Sequence, residues 1–208
     1  MIAPQVTVLD YGAGNLRSVV KAFEHCGART LLTADPGVAR GAARLVLPGQ
    51  GHFGQCMVRL EESGLADGVR EHVASGRPFL GICVGMQLLF EGSDEAPDVP
   101  GLGLLAGRAE RLSEELPLPH VGWNQVEFTE EAARDSVVGG VAGAGRRYFY
   151  HVHSYGIPAT DERHLLGRCR YGLSFASVVG SDNVRGIQFH PEKSQEAGLA
   201  ILHAFSRS

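Results

Sequence analysis

The sequence predicts a single α/β domain over residues 1–208, doubly wound around a mixed sheet. Three observations predict it. Through the first half, short β-branched runs alternate with helical patterns of about ten residues. The second half carries strand patterns with no long helix between them. Between two of the first-half elements, a Gly-x-Cys-x-Gly pentapeptide joins a buried strand directly to a helix.

Residues 5–10 (QVTVLD) are a β-branched run ending at a glycine turn, and residues 16–26 are amphipathic. Residues 29–33 form a second strand. Residues 44–47 (RLVL) form a third, stopped by Pro48-Gly49, and a helical pattern follows through Leu60. Another helix covers residues 65–74. Residues 77–82 (RPFLGI) read as a buried strand, and residues 84–90 as a helix starting directly after it. Such alternation pairs strands in parallel, with helices on both faces.

In the second half, residues 108–112, 121–128, 147–153 and 164–170 read as strands. Residues 176–180 and 185–189 are separated by Ser181-Asp182-Asn183, a hairpin signal. Residues 91–101 (EGSDEAPDVPG) read as a polar loop. The chain closes on an amphipathic helix over residues 195–205, with Leu199, Ile201, Leu202 and Phe205 on or near one face. The expected sheet is parallel in the middle and antiparallel toward one edge.

Composition excludes several classes. A net charge of -4 supplies no basic field for nucleic acid, and the nine histidines are scattered. Cys26, Cys56, Cys83 and Cys169 lie far apart with no CxxC pair, which is not the pattern of a disulfide framework. The N-terminus, MIAPQVTVLDYG, lacks the basic and apolar regions of a signal peptide. No run approaches the roughly 18 apolar residues that span a bilayer. The expected setting is the cytoplasm, with reduced thiols and no membrane.

Gly81-Ile82-Cys83-Val84-Gly85 is the most informative segment. A strand that turns at once into a helix forces its central residue into a tight conformation and holds that side chain out at the carboxyl end of the sheet. Small neighbours let the backbone close up. A helix N-terminus favours a thiolate, and the Val84 N–H would point at an oxyanion formed by sulfur attack on a carbonyl. Alone, the pentapeptide fits equally a small apolar cysteine buried beside a helix start.

A thiol nucleophile needs a base, and the base needs a group that orients it. Gly186-Ile187-Gln188-Phe189-His190-Pro191-Glu192 supplies both. A β run delivers His190 to its carboxyl end, Pro191 ends the strand, and Glu192 turns back to the far imidazole nitrogen. Alone, this too reads as a surface turn before the last helix. Two independent strand ends that complete one Cys–His–carboxylate set favour the triad.

Two other motifs carry less. Gly12-Ala13-Gly14-Asn15 follows the first strand, but the dinucleotide fingerprint needs glycine where Arg17 stands, even though Asp35 suits a ribose contact. His151 and His153 share one strand face, a spacing that binds zinc, with no third ligand at useful spacing. No metal and no cofactor are expected.

GICVGMQLLFEGS and GIQFHPEKS resemble the nucleophile and His–Glu motifs of class I glutamine amidotransferases, whose fold is flavodoxin-like. Residues 9–19 (LDYGAGNLRSV), 47–54 (LPGQGHFG), 119–124 (PHVGWN) and 148–155 (YFYHVHSY) resemble the glutaminase subunit of imidazole glycerol phosphate synthase, an enzyme of histidine biosynthesis. The resemblance implies that Cys83 attacks the glutamine amide, His190 shuttles the proton to ammonia and Glu192 orients it. It places Gln87, Ser154 and Tyr155 against bound glutamine. Pro48, Gly49, Gln50 and Gly51 match the oxyanion strand, where a backbone N–H turns inward when the partner is loaded. Asn15, Trp123, Tyr148, Tyr150 and Lys193 fall where the family meets its cyclase subunit, a (β/α)8 barrel in a heterodimer. The ammonia would pass through that barrel, and the products would be imidazole glycerol phosphate and an aminoimidazole carboxamide ribonucleotide.

The chain departs from the pattern at Gln50, where a small apolar residue is expected, at His151, where an apolar aromatic is expected, and at Val84, where leucine is commoner. Other readings stay open at this point: a glutaminase serving a pyridoxal phosphate or anthranilate synthase, a γ-glutamyl hydrolase or thiol protease, and a binding module with the triad unused.

Overall fold

The computed structural model describes residues 3–143, 146–159 and 162–208. In chain order the elements are β1 (Gln5–Leu9), α1 (Leu16–His25), β2 (Arg29–Thr33), α2 (Pro36–Gly41), β3 (Leu45–Gly49), α3 (Phe53–Glu62) and α4 (Leu65–Ala74). Then come β4 (Phe79–Cys83), α5 (Val84–Gln87), β5 (Gly92–Ser93), β6 (Arg108–Arg111), β7 (His120–Phe128) and α6 (Gly139–Ala142). The chain ends with β8 (Arg146–His153), β9 (Tyr155–Gly156), β10 (Leu165–Tyr171), β11 (Leu173–Ser181), β12 (Val184–Ile187) and α7 (Gln195–Phe205).

The nine strands of the main sheet run in the order β2-β1-β3-β4-β12-β11-β10-β7-β8. The first five pair in parallel and the remainder antiparallel. The parallel block therefore reaches the β2 edge instead of sitting in the middle. β3 and β4 are buried along their whole length, because helices cover both faces of a parallel sheet. α1 meets α7 through Phe23 and Phe205, whose ring centroids lie 6.2 Å apart. Seven phenylalanines are fully buried, each contributing about 1.5–3 kcal/mol of burial. No helix among the described residues is long and apolar enough to cross a membrane.

Four local expectations differ from the structure. β3 runs on through Pro48 and Gly49, because β1 pairs with it only through Val46 and the missing Pro48 N–H removes no rung there. The helix after Cys83 is one turn, and tighter turns carry the chain on to Phe90, where Leu89 and Phe90 donate three residues back. The 91–101 loop contains β5, which pairs with β6 in a small second sheet. α2 is an additional short helix, capped by Asp35, whose carboxylate accepts from Gly37 N and Val38 N. Asp35 is thus occupied as a helix cap.

Register aligns the functional strand ends. Gly49 is paired with Cys83, and Ile187 with Ile82, so β3, β4 and β12 finish at one level. The glycines there are required by close approach. A Cβ on Gly85 would lie 1.9 Å from Leu47 O, and one on Gly49 would lie 2.4 Å from Gly85 N. Gly85→Ala is expected to destabilise the chain by more than about 4 kcal/mol or prevent its folding. Gly140→Ala, exposed in α6 with nothing near its added methyl, should change stability by less than about 1 kcal/mol. Urea unfolding of the two variants checks the contrast.

Candidate active site

Cys83 sits at φ 56°, ψ -116°, a conformation that a non-glycine residue adopts only when its surroundings impose it. It is 2% exposed, and its Sγ lies 3.9 Å from Val152 O and 3.8 Å from Gln188 Nε2. His190 follows β12 and is buried; its Nδ1 is 2.9 Å from Glu192 Oε1. The Glu192 side chain is 1% exposed, and its Oε2 has no hydrogen-bond partner among the described residues. The carboxylate is directed at one imidazole.

Burial would lower the His190 pKa, but hydrogen bonds to Cys83 and Glu192 and their negative charges overrule it and raise it to about 10. The free edge of β8 holds the histidine in place. His190 N donates to Tyr150 O at 2.9 Å, Tyr150 N donates to Ser194 Oγ, and Ser194 Oγ donates to His190 O. Phe189 stacks on Phe149 with centroids 4.0 Å apart, which fixes the chain one residue earlier.

A cavity of about 280 Å³ opens on Cys83 and is bordered by Gln50, Gly51, Val84, Gln87, Ser154 and Tyr155, among others. Six sequence-assigned residues thus meet Cys83 there. Gly49 does not border the cavity; it lies beneath, packed on Val84 and Gly85. The 48–51 segment is anchored on both sides: Tyr11 Oη donates to Pro48 O at 2.7 Å, and Cys56 Sγ to Gln50 O at 3.5 Å. Burial raises the Tyr11 pKa well above its usual value, so this hydroxyl stays a donor.

Glu95, absent from the sequence assignments, also lines the cavity. Its Oε2 accepts from Phe53 N at 2.7 Å, at the start of α3. The only sequence signal was its residue type in a polar stretch close after the nucleophile; the folding of the 91–101 loop carries it to the site.

The residues that the resemblance sets against a partner form a second group. Trp123 and Tyr148 are exposed at 46% and 58%. Trp123 meets Tyr150 edge to face at 6.2 Å, and Lys193 Nζ lies 5.8 Å from the Tyr150 ring centroid. Asn15 lies at the start of α1, where its side chain makes no capping bond. The turn before it abuts the oxyanion segment, since a Cβ on Gly14 would lie 3.6 Å from Pro48 Cβ.

The histidine pair acquires a third member that spacing did not reveal. His120 lies 5.2 Å from His151 and 5.5 Å from His153, between ring centroids. Their nitrogens do not converge on a metal, and no metal-holding group occurs among the described residues. His151 is engaged at both ends, Nδ1 with Phe149 O and Nε2 with Ser177 Oγ. Burial lowers the pKa of all three, that of His153 to about 3.

A model of the class I glutamine amidotransferase family matches residues 7–206. Curated relatives include the imidazole glycerol phosphate synthase subunit HisH of a Thermus thermophilus strain, 46% identical over 94% of this chain and 93% of that protein. The protein of the same description from Methanothermobacter thermautotrophicus is 43% identical over 96% of each chain. A crystal structure of a glutamine amidotransferase superposes with a TM-score of 0.75 at 21% identity, covering 98% of this chain and 99% of that one. PurLQS from Thermotoga maritima superposes at 0.73 with 19% identity, covering 98% of each. At those identities the two structures bear on the fold alone.

The buried neutral histidines give stability a definite pH dependence. They stay unprotonated in the folded chain, whereas the unfolded chain binds their protons below the ordinary value of 6.5. Their contribution is complete above that value and is lost as pH falls toward the folded values. His151→Phe should shrink the drop in unfolding free energy between about pH 7.5 and about pH 5 by roughly 2 kcal/mol. Urea titrations at the two pH values measure it.

Proposed function

Because the chain belongs to the class I glutamine amidotransferases, and within them to the imidazole glycerol phosphate synthase subunits HisH, we propose that Cys83, His190 and Glu192 are its glutaminase triad. The protein is the glutaminase subunit of that synthase. The observation that carries the triad is the buried His190–Glu192 pair at 2.9 Å beside an elbow cysteine facing a cavity of about 280 Å³.

The Cys83 thiolate attacks the side-chain carbonyl carbon of glutamine, and the resulting oxyanion is held by the Val84 N–H and a backbone N–H of the Gly49–Gly51 segment. Imidazolium His190 gives its proton to the leaving nitrogen as the C–N bond breaks, releasing ammonia and leaving a thioester. Water, deprotonated by the now neutral His190, attacks the thioester; glutamate leaves and the thiolate–imidazolium pair is restored. Glu192 holds the ring throughout. Gln87 and the Ser154–Tyr155 backbone border the rest of the substrate, and the Glu95 carboxylate suits its α-ammonium group.

All 208 residues act as one domain in this reading, and the ammonia is consumed elsewhere. The partner is the cyclase subunit, a (β/α)8 barrel in a heterodimer, set against Trp123, Tyr148, Tyr150 and Lys193 with Asn15 at the margin. The expected compartment is the cytoplasm.

Glutamate release from glutamine tests the proposal, assayed for the subunit alone and then with the cyclase subunit and its ribonucleotide ligand. Release should appear mainly in the loaded complex and vanish in Cys83→Ala. A wild-type complex shown to be assembled yet releasing no glutamate removes the enzymatic role of the triad. In the same assay Glu95→Gln should raise KM for glutamine about tenfold with a smaller change in kcat, the pattern of lost ground-state binding.

A further inference from the structure

Gln188 is fully buried beside the nucleophile, one residue past β12, and its backbone N–H is fixed on Ser177 O at 2.9 Å. Its side chain belongs to a hydrogen-bond chain whose direction is set at one end. A backbone carbonyl only accepts, so the Gln87 atom 2.9 Å from Tyr155 O is the amide nitrogen. That nitrogen places its other hydrogen on Gln188 Oε1, at 3.0 Å. With its oxygen committed, Gln188 turns Nε2 to Cys83 Sγ, at 3.8 Å. His153 Nδ1 lies 2.8 Å from the same Tyr155 carbonyl and steadies the far end of the chain.

A primary amide is costly to bury, and an apolar side chain of similar volume fills such a place more cheaply unless both ends of the amide are used. Here one end faces the reacting sulfur and the other a residue of the cavity wall. We propose that Gln188 is a positioning residue for the nucleophile: its amide N–H donates to the Cys83 sulfur while its carbonyl oxygen holds Gln87 in place. This rests on the glutaminase reading of Cys83.

Two consequences follow from the chemistry. The sulfur has two kinds of neighbour, since a thiol donates to Val152 O whereas a thiolate accepts from Gln188. An amide donor bonds the anion more strongly, so Gln188 favours the attacking form. Both hydrogens on Gln87 Nε2 are also occupied, which leaves Oε1 as the polar atom able to bond a ligand. An acceptor at that position selects an N–H group of the substrate.

The test separates the two ends of the amide. Gln188→Glu keeps an acceptor for Gln87 and, in its ionised form, removes the donor to sulfur, whereas Gln188→Leu removes both. Iodoacetamide labelling of Cys83 is followed across pH by peptide mass spectrometry, with His190, Tyr11 and Cys56, the titratable groups that face the sulfur, left unchanged. The labelling midpoint should rise by about one pH unit in Gln188→Leu and further in Gln188→Glu. In the loaded complex kcat should fall at least about tenfold in both variants, with KM raised in Gln188→Leu and near wild type in Gln188→Glu.

Thermal midpoints establish that each variant is folded, and Gln188→Met replaces Gln188→Leu if that variant is not. An unchanged labelling midpoint in folded Gln188→Leu or its Met replacement overturns the proposal whatever happens to turnover, because that variant takes the N–H donor away from the sulfur. Wild type that labels at Cys83 but releases no glutamate in the assembled complex overturns the glutaminase reading instead, and the labelling midpoint still decides the role of Gln188.

Discussion

The backbone contact between the end of β3 and the turn after β4 is the constraint on which the rest of the site depends. Leu47 O and the Gly49 backbone press so closely on Val84 and Gly85 that no Cβ fits at either glycine. That contact, with the flanking rungs to β3 and β12, holds Cys83 at φ 56°. A cysteine in relaxed strand geometry would direct its side chain to one face of the sheet, under a helix. Held in the elbow, the sulfur emerges at the carboxyl edge, where ligands reach an open α/β sheet. The proposed oxyanion segment is positioned by the same contact, because it continues directly from Gly49.

The two halves of the sheet contribute unlike things. Parallel strands deliver Cys83 and His190 from separate ends, and the antiparallel strands supply the wall opposite them. β8 pairs with β7 on one side only. Its outward carbonyls are therefore free to meet other groups: Tyr150 O takes the His190 N–H, and Val152 O lies beside the sulfur. Tyr150 also has its ring on the outer face, against Trp123 and under Lys193. One residue thus bears on His190 through its backbone and on the candidate partner face through its side chain. A displacement of that strand would be felt at both.

Burial acts on the histidines in opposite directions according to what surrounds them. His190 faces a sulfur and a carboxylate, whose charges outweigh desolvation, and its pKa rises. His120, His151 and His153 face each other, Phe175 and backbone carbonyls, and desolvation keeps them neutral. At His151, where an apolar aromatic residue was expected, the ring fills an aromatic place and satisfies both of its nitrogens locally. Four of the six ring nitrogens in the cluster meet Phe149, Ser177, Tyr155 and Asn124, and His120 Nδ1 and His153 Nε2 have no partner among the described residues.

By itself the sequence determined the alternation of strands and helices, the hairpin at Ser181-Asp182-Asn183, the elbow at Cys83 and the His190–Glu192 pair. Each of these is local: hydrophobic period, glycine spacing and a two-residue separation are written within a few positions. α2 was legible too, since Asp35-Pro36 is a cap followed by a favoured first residue, but six residues are too few to show a period. Tertiary structure alone decided which strands are neighbours, and with that everything spanning many residues. It brought Glu95 to the cavity, stacked His120 on His151 and faced Gln188 toward both Cys83 and Gln87. It also buried Gly49 beneath the cavity instead of on its wall. Such contacts depend on strand order and register, which no local pattern encodes, because the energy that selects them is shared among packing partners far apart along the chain.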